Sequence, residues 1–166
     1  MKTAEQRCMR QQGFEQEEAG RLHAHFRSLL FQPSLVGPTM VIAIILQSRA
    51  LFFVLAAILV WNVALPQWNP FERFYDWGIG RKKGQARLQP TPGPRRFAQG
   101  MAAAFMLAVG LALSFGWQTT AYVFEVFLVV AFTALLGGKF CLGAYLYHLL
   151  RGRTDFATAT CPWSRG

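Results

Sequence analysis

Apolar residues in this chain come in long unbroken runs, not at the alternating or three-to-four spacing of a soluble protein. Four runs are apolar enough to leave water: Pro33 to Gln47, Ala50 to Leu65, Phe97 to Trp117, and Thr120 to Leu136. The first two hold 15 and 16 residues, roughly 22 and 24 Å as helices at about 1.5 Å per residue. Against a hydrocarbon core of about 30 Å they are short, so a thinned bilayer, flanking aromatics or a re-entrant hairpin must make up the difference. The third, 21 residues long, is a full span. Gly137-Gly138-Lys139 interrupts the fourth, and the 11 residues from Phe140 to Leu150 read as a bent extension at the membrane surface. The pattern predicts an all-α integral membrane protein with four transmembrane helices, the first two forming a short hairpin.

Two amphipathic segments accompany the runs. Phe14, Leu22, Phe26 and Leu29/Leu30 recur at helical spacing among charged residues, and Gln32-Pro33 ends that stretch. Such a helix either lies in the interface or caps a partner subunit. Asn69 to Trp77 reads as a second interfacial helix, with Asn69 as its cap and Pro70 in its first turn. The organisation is therefore a tail with an amphipathic helix (1–32), a four-helix membrane domain (33–150) including a basic loop (66–96), and a second tail (151–166).

Composition supports this division. Hydrophobic residues make up 53% and charged residues 15%, against roughly 25% charged in soluble domains, which excludes both disorder and an ordinary water-soluble globule. The net charge of +9 is unevenly placed. Of the 17 Lys and Arg, 16 fall in the N-terminal tail, the long loop, or after span four, and Arg49 alone lies in the other turn. By the positive-inside rule both termini and the long loop are expected to be cytoplasmic. The first apolar run follows about thirty residues of charged sequence without a small-residue cleavage pattern, so no signal peptide is expected. Trp68 and Trp77 inside, and Trp117 and Tyr122 outside, fit interfacial belts. Arg81, Lys82 and Lys83 next to a membrane point to anionic lipid or a protein partner. No nucleic-acid-binding fold accompanies them, and no nucleic acid is expected.

Few residues carry candidate chemistry. Gly100, Ala104, Ala108, Ala112 and Gly116 form a small-residue stripe on span three, suited to close helix contact inside the bundle or with another subunit. Glu125 is the one acidic residue within a span, which makes it a proton or cation site unless it is neutral or paired with Arg49. Asn62 lies near the inner end of its span and reads as a helix-to-helix hydrogen-bonding residue. His23 and His25 face apart on a helix and His148 stands alone, so neither a metal nor a haem is expected within this chain, nor any other cofactor. Cys8, Cys141 and Cys161 all fall on the reducing side. Arg95 and Arg96 open span three against its macrodipole, which favours membrane anchoring or an anionic partner over helix stability as their reason.

Pro94-Arg95-Arg96-Phe97-Ala98-Gln99-Gly100 before span three, and Phe140-Cys141-Leu142-Gly143 with Tyr145 and Tyr147 after span four, resemble the bacterial membrane-protein family known as domain of unknown function 4395. The likeness covers roughly Pro33 to Leu150, including Asn69-Pro70-Phe71. It implies a small multi-span inner-membrane protein, and the family's cysteine pair implies thiol or sulfur-transfer chemistry. Here Ala144 stands where the second cysteine of the Cys-x-Gly-Cys-x-x-Tyr pattern falls, leaving Cys141 to act singly or with Cys161.

The leading expectation is a non-catalytic accessory or structural subunit of a larger membrane complex, contacting lipids and either larger subunits or its own copies. A membrane thiol protein using Cys141 and a small transporter using Glu125 are the alternatives.

Overall fold

The structure, a computed structural model, describes residues 4–14, 19–65 and 92–160, with the backbone alone for 19–25, 27 and 28. The described residues form seven helices and no strand: α1 (Ala4–Gln11), α2 (Ala19–Ile45), α3 (Arg49–Ala64), α4 (Gly93–Ser114), α5 (Gln118–Leu136), α6 (Leu142–Leu150) and α7 (Thr154–Thr160). The helix expected at 69–77, the Arg81-Lys82-Lys83 cluster and Cys161 lie outside the described residues, as do the side chains of His23 and His25.

Helix α4 is the hub. It packs against α3, α5 and α6, while α2 closes on α3 and α5. Ala103, Met106, Val109 and Ala112 on its inner face join Met40, Phe52, Leu59 and Leu128 in one apolar core. A Cβ on Gly110 would lie 3.0 Å from the Phe53 ring, so this glycine sets how closely α3 and α4 approach. The outward faces are apolar as well: Ile42, Trp61, Leu111, Val123, Val126 and Val130 are all exposed. Helices apolar all round belong in hydrocarbon or deep inside protein. Helices α4 and α5 are long and apolar enough to cross a membrane, whereas Leu29–Ile45 and α3 are shorter. By length and composition, then, two of the four expected spans are sufficient to cross a membrane.

The hairpin turn is built by hydrogen bonding. Ser48 N–H donates to the Ala43 carbonyl at 3.0 Å and Gln47 N–H to Ile44 at 3.1 Å, the paired bonds of a Schellman motif with its C′ residue left-handed. That residue is Gln47, at φ 46°. The Ser48 hydroxyl then accepts from Leu51 N–H at 3.4 Å and starts α3. The same device ends α4, where Gly116 sits at φ 75° and Trp117 N–H reaches the Ala112 carbonyl at 2.8 Å.

Three expectations need correction. The helix beginning in the N-terminal tail does not stop at Gln32-Pro33; α2 runs on through Pro33 and Pro38. Proline has no N–H, which leaves the Leu29 carbonyl without its donor, and Arg95 Nη2 fills the gap at 3.4 Å. Phe140 to Leu150 is not a bend of span four, because α6 is a separate helix lodged against α4. The third span ends at Ser114, so Gly116 is a turn residue and drops out of the small-residue stripe. Two short helices, α1 and α7, were not expected at all. Cys8 and Met9 of α1 pack with Phe14, Phe26 and Leu29 in a second small core, so these three residues of the N-terminal apolar stripe are covered by the chain itself.

Candidate functional site

The polar features gather at the end of the bundle where α1, α4 and α6 meet. Gln11, at the end of α1, is almost fully buried and serves two helix ends at once. Its Oε1 accepts the Cys141 N–H at 2.9 Å, satisfying a donor at the start of α6, and its own carbonyl oxygen lies 2.9 Å from His148 Nε2. Helix α1 is held down further by an ion pair, Lys139 Nζ to Glu5 at 2.8 Å.

Arg95 and Arg96 turn out to have internal tasks. Arg95, 5% exposed, holds the Leu29 carbonyl in the gap left by Pro33. Arg96 Nη2 donates to the Val63 carbonyl at 2.9 Å, in the last turn of α3, where helix carbonyls lose their partners and a cation is favoured. Both arginines oppose the dipole of their own helix while repairing carbonyl defects in its neighbours. Gln99 Nε2 donates to Gln32 Oε1 at 3.0 Å and ties α4 to α2 in the same region. Beside these residues is a cavity of about 100 Å³ with apolar walls, among them Val36, Phe105 and Leu128, and with Arg95, Gln99, Gln32 and Cys141 at its polar end.

The two described cysteines lie in this region, and both are buried. Burial pushes the Cys8 thiol up to about 12, with Cys141 adding to the rise and Gln12, Arg95 and Lys139 opposing it. Burial likewise raises Cys141, against the backbone N–H groups of Ala144 and Gly143 and the Arg95 guanidinium. Ala144, in place of a second motif cysteine, is fully buried. Next to it Gly143 sits so tightly that a Cβ there would lie 2.6 Å from Ala98 Cβ and 2.7 Å from its Cα. The segment is a packing joint first; a buried thiol with a raised pKa is a poor nucleophile.

At the opposite end, Glu125 is 4% exposed. Its partner is Gln47, whose Nε2 lies 3.1 and 3.3 Å from the two carboxyl oxygens. Arg49, the partner considered from sequence, is exposed and makes no ion pair with it. Gln47 also donates to the Ile44 carbonyl at 2.8 Å, which helps hold this non-glycine residue in a left-handed conformation. Glu125→Gln and Gln47→Ala should therefore couple in a double-mutant cycle of melting stability by about 0.5–1.5 kcal/mol, while Arg49→Gln adds independently. Additive losses for the Glu125 and Gln47 changes would refute the pairing.

Asn62 is fully buried on α3, and neither side-chain polar atom finds a hydrogen-bond partner among the described residues. Of the small-residue stripe, Ala112 faces the core and Ala108 is half-buried. Ala104 is exposed, and nothing lies within 4 Å of a Cβ placed on Gly100. Gly100 and Ala104 thus point away from the bundle. Among the described residues no group of three His, Cys, Asp or Glu side chains comes together as metal ligands would. Sequence reasoning missed Gln11, Gln32, Gln47 and Gln99. A glutamine that bonds to another helix leaves no local signature, although Gln11, Gln32 and Gln47 each adjoin a helix terminus or a proline.

A bundle of apolar helices, two of them of membrane-crossing length, with short polar-faced helices closing one end, is the class of protein these features define. Within that class the chain belongs to the family described as Domain of unknown function (DUF4395), whose model matches residues 27–152. No curated protein and no solved structure matches it.

Proposed function

We propose that this chain is a non-catalytic accessory or structural subunit of a larger bacterial inner-membrane complex, with four helices in the bilayer and both termini cytoplasmic. The observation that supports it best is the two-sided character of α4. One face is filled by α3, α5 and α6, while the face bearing Gly100 and Ala104 is small, apolar and open. Small residues of this kind allow another transmembrane helix to approach at backbone distance. The charge asymmetry supports the orientation, and Glu125, buried against Gln47, is read as a packing group.

Ala104→Leu with Ala108→Leu should release companion subunits on purification in mild detergent, followed by mass analysis of what remains bound. Ala104→Leu alone should leave the melting temperature of the chain unchanged, because Ala104 is exposed. Unchanged assembly in that double variant, or a wild-type chain that purifies alone, would overturn the reading. A second reading, a membrane thiol protein, draws on Cys8 and Cys141 sharing one buried region; its test is given in the Discussion.

A further inference from the structure

A second, more open cleft of about 690 Å³ lies outside the bundle core, between α1, the start of α4, α6 and α7. Arg10, Arg153 and His148 line it together with Phe14, Tyr147 and Phe156, and among the described residues no carboxylate does. The start of α4 forms part of the wall through Pro92, Gly93 and Pro94. This 22-residue helix has Pro92 at its N-cap position, with no side chain to accept first-turn N–H groups, and no acidic residue in its first turn. The positive end of its macrodipole is thus left without a counter-charge from its own sequence.

An independent feature points the same way. His148 is 4% exposed, and its Nε2 faces the Gln11 carbonyl oxygen at 2.9 Å. A carbonyl only accepts, so Nε2 carries a proton, and in the neutral ring Nδ1 presents a lone pair. Among the described residues that Nδ1 has no hydrogen-bond partner, a defect that a hydroxyl on a bound group would remove. We propose that the cleft binds an organic phosphate monoester. Arg10, Arg153 and the start of α4 hold the phosphoryl oxygens, the P–OH of the monoprotonated form faces His148, and the aromatic walls take the organic part. Arginine pairs with phosphate in a planar, two-pronged fashion, and the volume falls within the range of small-molecule sites. The site does not depend on which complex the chain belongs to.

The phosphate has two possible sources, a soluble ester or the headgroup of phosphatidic acid, and one experiment separates them. Full-length protein in phospholipid-free detergent is titrated with glycerol 3-phosphate by calorimetry at constant ionic strength, then with micelles doped with phosphatidic acid. Saturable binding of glycerol 3-phosphate that phosphatidic acid does not displace supports a soluble ester. Displacement by phosphatidic acid at lower concentration supports a headgroup. In either case Arg10→Gln with Arg153→Gln should weaken binding at least about tenfold. Arg151→Gln, whose guanidinium lies 5.0 Å over the Tyr147 ring and does not line the cleft, should leave it unchanged. Equal binding by the double variant and wild type, equal losses in the double variant and Arg151→Gln, or no binding of either probe overturns the proposal.

Discussion

Replacing Gly143 with alanine is expected to pry α6 off α4 and lower the stability of the chain by about 3 kcal/mol, the upper end of overpacking costs. The added methyl would sit 2.6 Å from Ala98 Cβ, 2.7 Å from Ala98 Cα and 3.3 Å from Met101 Cε. The methionine end can swing aside, but the Ala98 backbone cannot move without shifting α4 as a whole. For a chain of this size the melting temperature should fall by roughly 6–12 °C, and Cys141, two residues away, should become accessible to thiol reagents. Gly100→Ala supplies the control on the same α4. With nothing within 4 Å of the new methyl, the substitution should be neutral or stabilising by up to about 1 kcal/mol through helix propensity. Ala98→Gly should rescue Gly143→Ala only in part, because the contact to Cα survives the removal of Cβ. Equal melting temperatures for Gly143→Ala and wild type would show that α6 does not pack on α4 as described.

The contrast between Gly143 and Gly100 marks how far the sequence could be read. Unbroken apolar runs located three of the helices, and the end of α2, within a few residues, because hydrophobic runs of that length have few structural alternatives. The same property hid which face of each helix looks inward. With apolar residues on all sides, small residues at every fourth position looked like a packing seam, yet Gly100 and Ala104 are open while Gly110 makes the close approach to Phe53. Pro33 misled for a related reason. A proline ends a helix only if its missing hydrogen bond goes unrepaired, and the repair comes from Arg95, 66 positions along the chain. Arg95 and Arg96 in turn looked like poor helix starters because only their own helix was visible in sequence. Their targets, Leu29 and Val63, are carbonyls of other helices, and no local pattern records them. Glu125 was identifiable as an expensive residue in a span, but its partner Gln47 depends on a left-handed turn that glutamine seldom adopts.

In the native protein the thiols of Cys8 and Cys141 are expected to be nearly inert at neutral pH. The thiolate is the reactive form. With Cys8 pushed from 9.0 up to about 12 by burial, its thiolate population at pH 8 is lower by about a thousandfold, before any loss of access is counted. Maleimide labelling of Cys8 in a Cys141→Ser, Cys161→Ser chain in mild detergent should therefore proceed about a thousand times more slowly than in denaturing detergent. The same burial makes stability depend on pH in a defined direction. Below pH 9 both cysteines are protonated whether the chain is folded or unfolded, and they contribute no pH dependence. Above it the unfolded thiols release protons while the folded ones retain theirs, so stability falls as pH rises from 9 towards 12. For Cys8 the loss across that window is on the order of 4 kcal/mol, and Cys8→Ala should remove that part of the decline. Burial raises Cys141 in the same direction, so Cys141→Ala should flatten the remainder. Rapid labelling of Cys141 at pH 7 in the native protein, with a flat stability profile between pH 9 and 12, would mean that α1, carrying Gln11, lifts off the start of α6 often enough to expose a working thiolate. The thiol-exchange reading would then displace the accessory-subunit one.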